Sequence, residues 1–221
     1  MKRMTALLLT LLMAFLTACG GTPAQNNPPD ESNPPISTPA DDDAAAADKK
    51  SEPTDRETSN ILVAYFSHTG NTEVIASMIA EQTGGDLFHV ETTTVYPEEY
   101  NDLIAQARQE QDDDARPELA SSVADMDAYD TVFIGYPNWW GTMPMTMFTF
   151  LESYDFSGKT VVPFCTHKGS ALGSSDSDIA ELIPDAELLD GLAVRGQTAQ
   201  NRQDEAREAV ADWLREGGFI E

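Results

Sequence analysis

The chain contains few cysteines and few positively charged residues. Cys19 and Cys165 are the two cysteines among 221 residues, too few for a disulfide framework. Lysine and arginine together number 13 against 38 aspartates and glutamates, which gives a formal net charge of −25 at pH 7. Nucleic-acid backbones and anionic membrane surfaces repel such a surface. The composition therefore argues against a nucleic-acid-binding protein and favours cationic partners.

The sequence also lacks the common signatures of metal and dinucleotide sites. No cluster of histidine and cysteine predicts zinc or haem. The acidic run Asp112–Asp114 lacks the spaced oxygen ligands of a calcium loop, so we interpret it as solvated charge. No Gly-x-Gly-x-x-Gly pattern occurs, and nothing therefore predicts a dedicated nicotinamide-binding domain. We expect no metal site.

The first 18 residues have the pattern of an export signal. A basic start at Met1–Arg3 precedes the apolar segment Leu7–Leu16, which is too short to span a bilayer. The next residues complete Leu16-Thr-Ala-Cys19, which resembles the lipobox of bacterial lipoproteins. The resemblance implies cleavage before Cys19, lipid modification of that cysteine, and anchoring outside the cytoplasm. An ordinary signal peptide with an incidental cysteine is the alternative.

Residues 19–59 have the composition of a linker. They contain two Pro-Pro pairs, a run of three aspartates and a run of alanines, with almost no apolar side chain to bury. Such a segment cannot form a core, so we predict a disordered tether. Its root-mean-square reach would be about 35 Å, enough to hold a domain away from a membrane.

From Asn60 to Glu221, apolar strands alternate with amphipathic helices. The predicted strands are 61–66, 86–91, 131–135, 160–165 and 187–194, and the predicted helices are 72–82, 98–111, 145–153, 176–183 and 202–216. This alternation predicts an α/β domain with a doubly wound, five-stranded parallel sheet. Ligands of such sheets bind beyond the carboxyl ends of the strands. The loops after the first, third and fourth strands are therefore the candidate site.

Loop one, residues 67–72, lies between the first strand and the first helix. Its sequence is Ser67-His-Thr-Gly-Asn-Thr72, with three hydroxyl groups and one glycine. A polar loop at a helix start is the geometry of a phosphate site, because the first backbone N–H groups of the helix have no internal partner. The loop contains no lysine, which excludes a Walker-type nucleotide loop.

Loops three and four have a different composition. Loop three, Tyr136–Pro144, carries adjacent tryptophans, which we expect outside the core and facing a flat ligand. Loop four, Thr166–Gly173, is rich in small residues, so its backbone N–H and C=O groups are available to the edge of a heterocycle.

In order along the chain, these three loops resemble the flavin-binding loops of flavodoxins. Ser67-x-Thr-Gly-x-Thr72 is similar to the phosphate loop of that family, Tyr-Pro-Asn-Trp-Trp-Gly141 to its second flavin loop, and Pro-Phe-Cys-Thr-His-Lys-Gly-Ser170 to its third. The resemblance covers about residues 60–221 and implies bound FMN and the strand order 2-1-3-4-5. It points to the short-chain form, because the predicted fifth strand is uninterrupted.

The resemblance also implies roles for individual residues. Loop one would hold the 5′-phosphate, with His68 either facing the phosphate or exposed. Trp139 or Trp140 would stack on the isoalloxazine, the backbone of Pro137–Trp139 would face flavin N5, and Thr166–Ser170 would meet the pyrimidine end. The candidate cofactor-binding residues are Ser67, His68, Thr69, Gly70, Asn71, Thr72, Pro137, Asn138, Trp139, Trp140, Gly141, Thr166, His167, Lys168, Gly169 and Ser170.

These features predict a membrane-anchored, FMN-binding oxidoreductase that works in electron transfer. No side chain is assigned to catalysis, because the flavin would carry the chemistry. The sequence leaves open whether the protein is an electron carrier or an NAD(P)H-dependent quinone or flavin reductase, and whether it is a monomer or a homodimer. Its partner would be a redox protein or a small-molecule electron acceptor. A flavin-free lipoprotein that binds another phosphorylated ligand or a protein is the alternative from a different class.

His167 and Lys168 bring positive charge to loop four, whereas acidic surroundings help many flavodoxins reach a low second reduction potential. A cation near flavin N1 would stabilise the anionic, two-electron-reduced flavin and raise that potential. We therefore expect Lys168→Ala to lower the second potential in a redox titration against the wild type. An unchanged second potential would instead indicate that Lys168 points to solvent.

Overall fold

A computed structural model describes residues 60–221 of the chain; the predicted signal peptide, Cys19 and the tether lie outside the described residues. The strands are β1 Ile61–Tyr65, β2 Asp86–His89, β3 Thr131–Pro137, β4 Thr160–His167, β5 Glu187–Leu188 and β6 Leu192–Arg195. The helices are α1 Asn71–Thr83, α2 Tyr100–Asp112, α3 Met145–Glu152, α4 Ser175–Leu182, α5 Gly196–Asn201 and α6 Gln203–Glu216. Within 60–221, no helix is both long enough and apolar enough to cross a membrane.

All strands pair in parallel, in the order β2-β1-β3-β4-β5, with β6 also paired to β4. The predicted α/β class and strand order are therefore confirmed. Tyr65 of β1 is level with Gly135 of β3, and Pro137 of β3 is level with Thr166 of β4. Because parallel strands point the same way, loops one, three and four leave the sheet at one edge.

The predicted uninterrupted fifth strand, 187–194, is wrong. β5 pairs with the start of β4 and β6 pairs with its end, and residues 189–191 separate them. The gap lies beside Pro163 of β4, which has no N–H to donate. Leu189 still donates its N–H to the Val161 carbonyl at 3.0 Å, but a Cβ on Gly191 would lie 2.9 Å from Pro163 Cγ. The proline therefore interrupts the ladder over only three residues.

Helix α5 was not predicted. Its sequence, Gly196-Gln-Thr-Ala-Gln-Asn201, lacks the apolar spacing that identifies a helix, although it buries Thr198 and Ala199. The other predicted elements exist, and their ends differ from the prediction by at most two residues. Helix α5 is the element that returns the chain from β6 towards α1, which matters for the site.

A hydrophobic core lies on each face of the sheet. Leu62 and Ala64 of β1 belong to the core that includes Met147 and Phe150 of α3 and Ile179 of α4. The neighbouring residues Val63 and Tyr65 belong to the other core, packed with residues of α1 and α6 such as Ile75, Ile79, Val210 and Leu214. Because successive strand residues face opposite sides, β1 must be apolar along nearly its whole length.

Gly135 gives a direct test of the pairing between β3 and β4. It lies opposite Phe164, which is fully buried, and a Cβ at position 135 would overlap the Phe164 ring. We expect Gly135→Ala to lower the free energy of unfolding by about 1–3 kcal/mol, measured by chemical denaturation.

The double variant Gly135→Ala/Phe164→Leu is the matched control, because the smaller side chain makes room for the added methyl group. It should lose less free energy than the two single variants lose together. A loss below about 0.5 kcal/mol for Gly135→Ala, as at ordinary surface positions, would contradict this account.

Candidate functional site

A cavity of about 640 Å³ lies at the edge of the sheet where β1, β3, β4 and β6 end. Its volume is in the range of cofactor and small-molecule sites. Twelve of the sixteen predicted site residues line it, namely Ser67, His68, Thr69, Asn71, Thr72, Pro137, Asn138, Trp139, Trp140, Thr166, His167 and Lys168. Gly70, Gly141, Gly169 and Ser170 lie in the same loops but do not line the cavity. The structure thus brings parts of all three loops together.

Loop one has the backbone geometry of an anion site. Gly70 caps α1 with a positive φ of 80°, a conformation that suits glycine, and its carbonyl accepts the Val74 N–H at 3.1 Å. None of the five backbone N–H groups of residues 68–72 has a hydrogen-bond acceptor within residues 60–221. Five consecutive donors at the start of a 13-residue helix are therefore available to an anion.

A buried hydroxyl pair ties loop one to loop four. The Oγ1 atoms of Thr72 and Thr166 lie 2.9 Å apart, and the two residues are 1% and 3% exposed. The Ser67 hydroxyl accepts the Glu73 N–H at 3.3 Å, which holds the start of the loop against the helix. These contacts fix the loop before any ligand arrives, so binding costs little ordering of its backbone.

Loop three contains a tight turn in which a tryptophan has an unfavourable backbone conformation. Trp139 and Thr142 exchange backbone hydrogen bonds of 2.8 and 3.3 Å, and the two residues between them have positive φ, 56° at Trp140 and 95° at Gly141. Two positive φ values are the pattern of a type I′ turn, which favours asparagine and glycine. A tryptophan in this conformation costs about 1–2 kcal/mol.

The adjacent tryptophans have different environments. Trp139 packs against the core, with its ring 5.4 Å from those of Phe66 and Tyr96 and 6.2 Å from that of His68. Trp140 is 51% exposed and donates its indole N–H to the Ile104 carbonyl at 3.0 Å. The expectation that the tryptophans lie outside the buried core therefore holds, although Trp139 is partly buried and packs against that core while it lines the cavity.

Hydrogen bonds join loops three and four into one wall. Asn138 Nδ2 donates to the Ala171 carbonyl at 2.9 Å, and the Ser174 N–H donates to the Gly141 carbonyl at 2.8 Å. Gly173 must be small there, because a Cβ would overlap the Gly141 carbonyl oxygen and its φ of 66° is left-handed.

His167 remains neutral within this wall. Its Nδ1 accepts the Ala171 N–H at 2.9 Å, which requires an unprotonated nitrogen. Burial and the charge of Arg195 both lower the pKa of His167 below its ordinary value. The expectation that His167 adds positive charge to loop four is therefore wrong, and the positive charge at this wall comes from Lys168 and from Arg195 at the end of β6.

The apolar face of α2 also lines the cavity, through Tyr100, Leu103, Ile104 and Ala107. The sequence predicts these residues on one helix face, a signal that normally indicates core. Leu103 and Ala107 are buried, whereas Tyr100 is 62% exposed at the cavity. Lys168 Nζ lies 5.9 Å from the Tyr100 ring centroid, so this cation reaches α2 from loop four.

The lining is completed by Arg195, Gly196 and Gln197. The sequence does not identify these three as site residues. Arg195 is the last residue of β6, and Gly196 and Gln197 directly follow it, so all three lie at the same edge of the sheet as the three predicted loops. Applying the rule for carboxyl ends to the fifth strand as well would have identified them.

Solved structures of similar proteins have this architecture. Proteins assigned as flavoproteins from Bacteroides eggerthii and Bacteroides uniformis are 34% and 32% identical to this chain, with TM-scores of 0.61 and 0.62. Each comparison covers 70% of this chain and 95% or 97% of the other. A Lactobacillus acidophilus flavoprotein solved with FMN is 22% identical over 65% of this chain and 97% of its own, with a TM-score of 0.53, and shares the fold.

One curated relative and one family match complete the comparison. An Azorhizobium caulinodans protein named NAD(P)H dehydrogenase (quinone) is 31% identical over 94 residues, which are 42% of this chain. The match spans 46% of that relative, or about half its length. The model of a flavodoxin family matches residues 60–215, nearly the whole described domain. Together with the strand order and the three converging loops, this match shows that the chain belongs to the flavodoxin family.

Proposed function

We propose that residues 60–221 bind FMN in the cavity and use it to transfer electrons. The observation that carries the proposal is the convergence of the lysine-free phosphate cradle of loop one and the tryptophans of loop three on one cavity. The similarity to the two Bacteroides flavoproteins supports it.

The polar end of the cavity fits a phosphate monoester. Loop one offers five backbone N–H groups without acceptors, the hydroxyls of Ser67, Thr69 and Thr72, and the start of α1. Hydrogen bonds to a charged phosphate are about twice as strong as those between neutral groups. Loop one would therefore fix the phosphate end of FMN.

The other end fits a flat ring. Trp139 and Trp140 lie on one side, and the apolar face of α2 supplies Leu103, Ile104 and Ala107. Trp139 is held by Phe66 and Tyr96, so it can form a rigid wall, while Trp140 lies nearer to solvent. We assign the inner wall to Trp139 and the rim to Trp140. Apolar walls of this kind exclude water from the ring.

The chain would orient the cofactor through its backbone, and FMN would supply the transfer of electrons. The N–H groups of Asn138 and Trp139 donate to the carbonyls of Thr166 and Thr142, both at 2.8 Å. The carbonyl of Asn138 has no donor within residues 60–221. It is therefore free to accept a hydrogen bond from a protonated flavin N5.

A reductase that takes electrons from NAD(P)H and passes them to a quinone or flavin is the second candidate. Tyr100 and Trp140, 62% and 51% exposed, leave aromatic surface at the cavity for a second flat molecule. The name of the Azorhizobium relative agrees with this activity. A simple carrier would instead dock a redox protein at the cavity.

Visible spectroscopy of the purified protein tests FMN binding. We expect the absorption of oxidised flavin, released on denaturation and identified as FMN. Thr72→Val should weaken FMN binding by about tenfold or more, because it removes a hydroxyl from the phosphate end. The control is Thr146→Val, an equally buried threonine that does not line the cavity.

Anaerobic mixing with NADH and NADPH then separates the two activities. Rapid bleaching of the flavin absorption indicates a reductase, and no bleaching without an added redox protein indicates a carrier. A colourless protein that fails to take up FMN would reject both and support the flavin-free alternative.

We also propose that lipid on Cys19 anchors the protein outside the cytoplasm; the sequence Leu16-Thr-Ala-Cys19 supports this. Cys19→Ser should move the protein from the membrane fraction to the soluble fraction of the producing bacterium and abolish labelling by a radioactive fatty acid. Cys165→Ser, which changes the buried cysteine, is the control and should leave both readouts unchanged. Labelling that persists in Cys19→Ser would exclude this anchor.

A further inference from the structure

We propose that Arg195 supplies the positive charge that binds the phosphate of FMN, and that it determines the preference for FMN over riboflavin. This inference rests on the proposed FMN site. Loop one itself contains no cation. The charge would come from the end of β6, more than 120 positions later in the chain.

Most cations of the described domain already have a partner in the protein. Residues 60–221 contain eight lysines and arginines. Five arginines form ion pairs with carboxylates, and Lys159 donates to the Tyr129 carbonyl at 2.7 Å. Lys159, Lys168 and Arg195 are the cations of the described domain without a carboxylate within 4.0 Å, and of these three Lys168 and Arg195 line the cavity. Unpaired cations in a chain of net charge −25 indicate a site for an external anion.

The wall of the cavity carries positive charge without negative side chains. No aspartate or glutamate occurs among the residues that line it. The positive charge of Lys168 and Arg195 is therefore not neutralised locally by the protein. A phosphate monoester, which carries close to two negative charges at neutral pH, would complement this wall.

Arg195 begins a segment that lies beside loop one. Gly196 packs so closely that a Cβ there would lie 2.9 Å from Asn71 Nδ2. A Cβ on Gly70 would lie 3.6 Å from Gln200 Nε2, so α5 runs along loop one. On its other side, Arg195 is level with His167 and places Nη1 3.4 Å from the Lys168 carbonyl. Arg195 thus stands between loops one and four.

The two cations have different positions in the cavity. Lys168 Nζ lies over the Tyr100 ring on the α2 side, whereas Arg195 begins the segment that packs on loop one. The guanidinium group can donate two parallel hydrogen bonds to phosphate oxygens, which an ammonium group cannot. We therefore assign Arg195 to the phosphate and leave Lys168 at the ring.

Binding of FMN and riboflavin to the apoprotein tests this assignment, because the two ligands differ only by the phosphate. Arg195→Gln should weaken FMN binding by about 10- to 100-fold and leave riboflavin binding unchanged. The dependence of FMN affinity on salt concentration should also become shallower. Arg195→Lys, which keeps the charge, should recover part of the preference for FMN.

Arg207→Gln is the matched control, because Arg207 pairs with Glu81 on the outer surface and does not line the cavity. It should leave the affinity for both flavins unchanged. If Arg195→Gln loses the same affinity for FMN and riboflavin, or loses none for either, Arg195 does not bind the phosphate. Either result would leave the proposed FMN site intact. A wild-type protein that binds no FMN would overturn the proposed function itself.

Discussion

The parallel register of β1, β3 and β4 determines where the three loops of the cavity lie. Tyr65, Gly135 and Phe164 lie side by side across these strands, and the fully buried Phe164 ring occupies the space that a side chain at position 135 would need. Shifting a strand by one residue would turn its apolar residues to the wrong core, so the burial on both faces fixes the register. With the register fixed, loops one, three and four must meet at one edge, and the hydroxyl pair of Thr72 and Thr166 can form between them.

The sequence contains most of the information about this edge, because the apolar periodicity that forms the sheet is local. The run from Ile61 to Phe66, the four-residue face of α2 and the polar composition of loop one all follow from neighbouring positions. The break between β5 and β6 at residues 189–191 does not follow from neighbouring positions, because it depends on Pro163 in the adjacent strand. The sequence also does not predict that the apolar face of α2 lines the cavity. The apolar spacing is the same for a helix that covers a core and for one that lines a cavity.

Trp140 has a backbone conformation that tryptophan rarely adopts, and contacts with α2 compensate for its cost. Its left-handed backbone is costly for a tryptophan, by about 1–2 kcal/mol, and glycine or asparagine would suit the turn better. The indole N–H bond to Ile104 and the Arg108 guanidinium 5.5 Å from the ring both come from α2. Residues that keep an unfavourable conformation under such support are concentrated at functional sites. The strain is therefore better explained by the position of the ring at the cavity than by the stability of the turn.

The severe negative charge of the chain does not prevent the binding of an anion in this cavity. Exposed carboxylates more than about 8 Å away are largely screened at physiological salt, whereas a guanidinium in contact with a phosphate is not. The five arginines outside the cavity form six ion pairs at partly or fully exposed side chains, where most of the positive charge of the domain contributes little. Within residues 60–221, the charges of Lys168 and Arg195 and the free N–H groups of loop one lie close enough to act at short range on a ligand in the cavity. The cavity can therefore attract an anion at short range. The acidic surface as a whole favours cationic partners at longer range, so the two effects do not conflict.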